Sequence, residues 1–188
     1  MFIGKRQYIV TRQNDIALGY SYYARFADYN IYMGEDCEFK ICSYENIGVL
    51  MIGFIINPYE PSHNDTQILK QLCIDLSRGC SIFELTKILG GRWVLVFLID
   101  GEYTILNDAC AFRQIFFSGI SDSFSISSQA KYLAELNGYK INKEREKCIN
   151  DYMKIDKEFS WVLDMTAYEE INRLLPNHYL QPSISTPK

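Results

Sequence analysis

Six cysteines, at positions 37, 42, 73, 80, 110 and 148, are the first candidates for chemistry. A thiol attacks as its thiolate, which needs a base or a cation beside it. The two histidines, His63 and His178, are far apart in sequence, and no two cysteines form a CxxC pair. That spacing matches no zinc ligand set, so no metal site is expected. Cys110 follows Asp108 closely but has no histidine near it in sequence, which favours a packing role. Ser128 and Lys131 stand three residues apart, the spacing of a serine–lysine pair on a helix. Serines at a helix start are above all caps, and Ser127 or Ser128 is expected to act as one. Asp65 could hold an ammonium group, yet an acid in a first helical turn is also stabilised by the helix dipole. Asp108 and Arg113 sit across a turn, where a local ion pair would contribute at most about 1 kcal/mol if exposed. Gly90-Gly91-Arg92 looks like a phosphate loop but leads from helix to strand, the reverse of the order such loops need.

These groups need elements to hold them. The chain of 188 residues suits one domain with one sizeable core. Hydrophobic residues make up 48% and charged residues 22%, the balance of a globular domain. Fourteen tyrosines tilt the chain toward half-buried strands. The net charge of −4, with signs interspersed, leaves no basic stripe for a nucleic-acid backbone. No apolar run has the length of a membrane span, and the N-terminus lacks the apolar core of an export signal. A cytoplasmic location is therefore expected, with the cysteines as buried reduced thiols.

Strands are predicted over Gln7 to Arg12, Ile16 to Phe26 and Asn30 to Met33, with turns at Asn14-Asp15 and Asp28. Phe39 to Ser43 and Ile47 to Ile56 continue the sheet, and the second of these is apolar enough to be covered on both faces. Pro58 and Pro61 break it. Asn64 and Gln67 have capping-box spacing, followed by the helical stripe Ile68, Leu69, Leu72, Cys73 and Leu76, with Gly79 as the stop. Ser81 and Glu84 predict a second capping box, on a helix carrying Phe83, Leu85 and Ile88 and ended by Gly90-Gly91. Trp93 to Ile99 and Tyr103 to Leu106 read as a hairpin about Asp100-Gly101. Ile115 to Phe117 and Phe124 to Ile126 are short strands, Gln129 to Leu136 is a helix, and a charged helix runs from about Lys143 to Lys154. Thr166 to Glu169 has capping-box spacing, which predicts a helical turn. Leu174 to Leu180 leads into a last strand, and Gln181 to Lys188 has the composition of a linker. This order is α+β.

Five segments, in order, resemble the glutaminase half of asparagine synthetase-type class II glutamine amidotransferases. Gly53-Phe54-Ile55-Ile56-Asn57 resembles the family's Asn-Gly-Glu-Ile-Tyr-Asn strand end. Asn64-Asp65-Thr66-Gln67 resembles its Ser-Asp-Thr/Cys-Glu helix start. Asn107 to Phe117 resembles Arg-Asp-x-x-Gly-x-Arg-Pro-Leu-Tyr-Tyr, and Phe124 to Leu133 resembles Phe-x-Ala-Ser-Glu-x-Lys-x-Leu. Ile171 to Leu180 resembles the closing Ile-x-x-Leu-Pro-Pro-Gly-His-Tyr-Leu. The resemblance implies a four-layer α/β/β/α sandwich of two antiparallel sheets, an Ntn-hydrolase-like fold. It implies that residues 1–180 form the domain and that 181–188 lead toward a C-terminal synthetase domain.

The chemistry departs from that family. Its nucleophile is an N-terminal cysteine, whereas this chain begins Met1-Phe2. The oxyanion Asn falls on Ile52, which has no donor, and such a loss costs about 2.7–4 kcal/mol in a comparable hydrolase. The Glu that would meet the substrate ammonium falls on Phe54. The resemblance thus implies a degenerate pocket of Ile52, Gly53, Phe54, Asn57 and Asp65, with Asp108, Arg113, Ser128 and Lys131 as structural residues. No catalytic residue, metal or cofactor is expected in this segment. The expected role is a pseudoenzyme that supports an ATP-dependent, asparagine synthetase-like amide-forming domain or partner. Two alternatives stay open: an amidotransferase domain whose nucleophile lies on a segment absent from this sequence, and a stand-alone module that binds another small ligand.

Overall fold

The computed structural model describes residues 4–14, 22–119, 123–155 and 162–182. These carry eleven strands and four helices, grouped in two compact units, each built on one antiparallel sheet. The class is α+β, as the order of elements predicts. Among the described residues, no helix is long and apolar enough to cross a membrane.

One unit comprises Met1–Glu35 and Gln114–Leu175. Its strands are β1 (Tyr8–Thr11), β2 (Tyr22–Phe26), β3 (Tyr29–Met33), β8 (Phe116–Ser118), β9 (Ser125–Ser127) and β10 (Asn172–Arg173). Their order in the sheet is β10-β8-β9-β1-β3-β2. All four residues of β1 are buried, as a central strand requires. Helix α3 (Ala130–Asn137) lays Leu133 and Ala134 against Phe116 and Ile171. It ends at Gly138, whose φ of 71° suits the left-handed turn that closes a helix. Helix α4 (Lys143–Ile155) is opened by the Asn142 side chain, which accepts from the N–H groups of Glu144 at 3.0 Å and Arg145 at 3.2 Å. None of its residues is buried.

Two expectations for this unit are corrected, and a third is described only in part. The strand expected over Ile16 to Phe26 is observed as Tyr22–Phe26, and residues 15–21 lie outside the described residues. Neither serine caps α3 with its side chain; the N-cap residue is Gln129, which makes no side-chain cap bond. Ser127 Oγ is held by the Gln129 backbone, and Ser128 Oγ accepts from Tyr8 N–H at 3.0 Å. Thr166 opens no helical turn, because Met165 bridges to Asn172 and Tyr168 to Ile141 in strand fashion. Its hydroxyl donates to the Ile171 carbonyl at 2.6 Å and accepts from Tyr168 N–H at 3.1 Å.

The other unit comprises Asp36–Arg113 and Pro176–Lys188. Its strands are β4 (Phe39–Tyr44), β5 (Ile47–Ile56), β6 (Gly90–Ile99), β7 (Glu102–Asn107) and β11 (Tyr179–Leu180), in the order β11-β7-β6-β5-β4. Asp100 and Gly101 join β6 to β7 with φ of 51° and 85°, the paired positive values of a tight hairpin turn. Helix α1 (Asp65–Ser77) starts with the predicted capping box: Gln67 N–H donates to Asn64 Oδ1 at 3.1 Å, and Asn64 N–H to Gln67 Oε1 at 2.9 Å. It stops at Gly79, where Gly79 N–H reaches Leu76 O and Cys80 N–H reaches Asp75 O. The predicted stripe, Ile68, Leu69, Leu72, Cys73 and Leu76, is its buried face. That face packs on Val49, Met51 and Ile55 of β5 and Trp93, Leu95 and Phe97 of β6. Each large apolar side chain so buried contributes about 1.5–3 kcal/mol. Leu50 and Ile52 are buried as well, so β5 is enclosed on both faces over this stretch.

Three expectations are corrected here, the third being that the cysteines are buried and that Cys110 has a packing role. Ser81 precedes helix α2 (Ile82–Thr86) but makes no side-chain cap bond, and Glu84 pairs with Lys87. Gly90-Gly91 does not end this helix; it already opens β6. The cysteines, all described, are free, and only Cys73 is buried. Cys37 and Cys42 are half-buried, while Cys80 follows a helix stop, Cys110 lies in a turn and Cys148 rides on α4, all three exposed.

Candidate substrate site

The residues expected to form a degenerate pocket meet at one end of the second unit's sheet. Ile52 is fully buried. It stands opposite Val94 of β6 and Phe39 of β4, so it is a core residue of the sheet. Gly53 has φ of +110°, and a Cβ there would lie 2.0 Å from the Arg92 carbonyl oxygen and 3.1 Å from Arg113 Cδ. Its N–H donates to the Glu38 carbonyl at 2.8 Å. Phe54 stands opposite Arg92 and is 42% exposed. Asn57 shapes the turn that follows, its Oδ1 accepting from Tyr59 N–H at 3.0 Å. Asp65 accepts from the Ile55 N–H at 3.2 Å and so ties the start of α1 to β5.

The Asp108 turn closes the same end. Asp108 is 3% exposed, and its two oxygens accept from Phe112 N–H at 3.0 Å and Arg113 N–H at 2.9 Å. Arg113 reaches Cys37, its Nη2 donating to Sγ at 3.1 Å. Burial pushes the Cys37 thiol above its ordinary pKa, and the Arg113 guanidinium offsets that only in part. A thiol so placed is mainly protonated near neutrality and is a poor nucleophile.

Ser128 and Lys131 belong to the other unit. The Ser128 hydroxyl is held by Tyr8, while Lys131 Nζ lies 3.6 Å from Glu135 on the exposed face of α3. Both groups have roles in strand and helix. His178 Nδ1 lies 3.0 Å from the Pro176 carbonyl, and His63 Nδ1 lies 3.0 Å from Glu60. Among the described residues no group of three His, Cys, Asp or Glu is arranged to hold a metal ion. The Met1-Phe2 start, where the family would carry its nucleophile, lies outside the described residues.

Sequence reasoning placed neither Arg92 nor Phe112 in the site. Arg92 Nη2 donates to the Phe112 carbonyl at 3.2 Å, and its guanidinium carbon lies 5.9 Å from the Phe112 ring centre. Phe112 is 63% exposed. The available signal was an aromatic residue following the small residues Ala109, Cys110 and Ala111 in the turn. The site as built can hold an anion beside apolar rings. Neither a family model nor a curated protein matches this chain.

Proposed function

We propose that this chain is a non-catalytic, glutaminase-like domain of the Ntn-hydrolase sandwich type. It supports an ATP-dependent, asparagine synthetase-like amide-forming domain or partner in the cytoplasm. The observation that carries the reading is the state of Gly53. The resemblance makes its N–H one of two oxyanion donors, and that N–H is spent on the Glu38 carbonyl at 2.8 Å. The other donor would be an Asn side chain, and the position holds a fully buried Ile52. An oxyanion hole works only when its donors point at the developing charge. Asp65, the acid retained from the pattern, is engaged with the Ile55 backbone. With those groups so engaged, docking is the function left to the domain.

Co-expression with a synthetase-type segment from the same gene or its neighbour, as separate chains, tests the role. Stable association is expected, with an interface of order 1,000 Å² or more in total. No association, together with a synthetase that folds and functions equally well alone, refutes it.

A further inference from the structure

The open surface beside Gly53 is where a partner has something to grip. Phe54 and Arg92 are direct cross-strand partners, so their side chains emerge on one face of the sheet. Ile56, two residues on, shares that face and is 49% exposed. Phe112 adds a second ring, with the Arg92 guanidinium carbon 5.9 Å from its centre. The result is one guanidinium set among two phenylalanines and an isoleucine. Among the described residues no carboxylate pairs with Arg92; its partners are the Phe112 carbonyl and ring. A cation without a counter-charge, ringed by exposed apolar side chains, is complementary to an acid flanked by apolar groups.

The patch is also held rigid. Four N–H groups of the 108–113 turn are bonded. Asp108 N–H goes to Trp93 O and Ala111 N–H to Asp108 O, while Phe112 and Arg113 N–H go to the Asp108 carboxylate. Gly53 and Gly91, each at φ +110°, bring the β5 and β6 backbones into close approach beneath it. Keeping a phenylalanine 63% exposed on a fixed turn forgoes its burial energy. The fixed geometry lowers the ordering cost when a partner covers it. Rings this exposed do not enclose a small molecule, so the shape is that of a contact surface.

We infer that Phe54, Ile56, Arg92 and Phe112 form a docking patch for a protein surface that presents an Asp or Glu carboxylate between apolar side chains. The inference deepens the docking role proposed above and rests on it for the existence of a protein partner.

The test uses the full chain, labelled with nitrogen-15, and the capped peptide acetyl-Leu-Asp-Phe-Leu-amide. Amide shifts should change at Phe54, Arg92 and Phe112. Replacing the peptide's Asp by Asn, or Arg92→Gln in the protein, should weaken binding about tenfold, as expected for one charge-assisted hydrogen bond. Phe112→Ala should weaken it too, while Phe83→Ala, an exposed ring elsewhere, should not. An unchanged spectrum of each variant outside the patch confirms its fold. Shifts absent from the patch, equal binding of the Asp and Asn peptides, or an equal response to sodium acetate would each overturn the inference. The probe contains no synthetase, so failure here and failure of the co-expression experiment are separate results.

Discussion

The carbonyl oxygen of Arg92 occupies the space where a side chain at residue 53 would begin, 2.0 Å from a Cβ built on Gly53. The relation is reciprocal, since a Cβ on Gly91 would lie 2.4 Å from the Phe54 carbonyl oxygen. Two strands thus interlock through two glycines at φ +110°, a region that L side chains avoid. Gly53→Ala should destabilise the protein by about 1–3 kcal/mol from the backbone alone, with the overlap adding to that. Gly101→Ala is the control, because nothing lies within 4 Å of a Cβ there. Urea midpoints should fall clearly more for the first change than for the second; equal midpoints would mean the strands are not interlocked here.

Asp108 is the second structural anchor of this end. Its buried carboxylate takes two backbone N–H groups, bonds to a charged acceptor that contribute about 1.5–3 kcal/mol each before compensation. Asp108→Ala should lower stability by roughly 2–4 kcal/mol, and Asp108→Asn by less, since one oxygen remains to accept. Hydrogen exchange should quicken first at the Phe112 and Arg113 amides. Unchanged exchange at those two would show that the turn holds itself without Asp108.

How much of this was legible beforehand follows the physics of each signal. The α1 stripe, its capping box and the Asp100-Gly101 hairpin were readable because each is set by residues within a turn or two. The Ser128 and Thr166 signals failed because each hydroxyl bonds another backbone group, that of Tyr8, far away in sequence, for Ser128 and the Ile171 carbonyl for Thr166. Ser81 precedes its helix without a side-chain cap bond. The candidate site was legible as a set of positions. The commitment of the Gly53 N–H to Glu38 was not, because backbone pairing between β5 and the chain before β4 leaves no mark on residue type. Arg92 and Phe112 were missed because cross-strand register decides their neighbourhood.

The capping box of α1 should behave as one unit. Asn64→Ala removes the acceptor of the Gln67 N–H and Gln67→Ala that of the Asn64 N–H, and each should cost about 1 kcal/mol. Because the two bonds are reciprocal, the double variant should cost less than the sum. Strict additivity in a double-mutant cycle would argue that the two bonds form independently.

Glutamine hydrolysis should be absent. The purified chain, incubated with glutamine, is expected to release glutamate at the rate of buffer alone. Turnover that disappears on changing Asp65 or another residue of the site would overturn the pseudoenzyme reading.

The buried thiol of Cys73 supplies a pH signature. Burial raises its pKa from 9.0 to about 12, and the neighbouring Cys42 thiol pushes in the same direction. The fold therefore favours the protonated form. Below about pH 9 the folded and unfolded chains both hold this proton, and the stabilisation is fully present. Between about 9 and about 12 the unfolded chain gives the proton up while the folded chain keeps it. Stability contributed by this group must fall across that window as pH rises. Tyrosines and lysines titrate there as well, so the informative quantity is the difference between the native chain and Cys73→Ala. Urea midpoints measured from pH 8 to pH 11 should decline more steeply for the native chain, and the two curves should converge toward high pH. Cys42→Ala should lessen the slope without abolishing it, since burial is the larger cause. Parallel curves for the native chain and Cys73→Ala would show that this thiol ionises as freely in the folded protein as in the unfolded one.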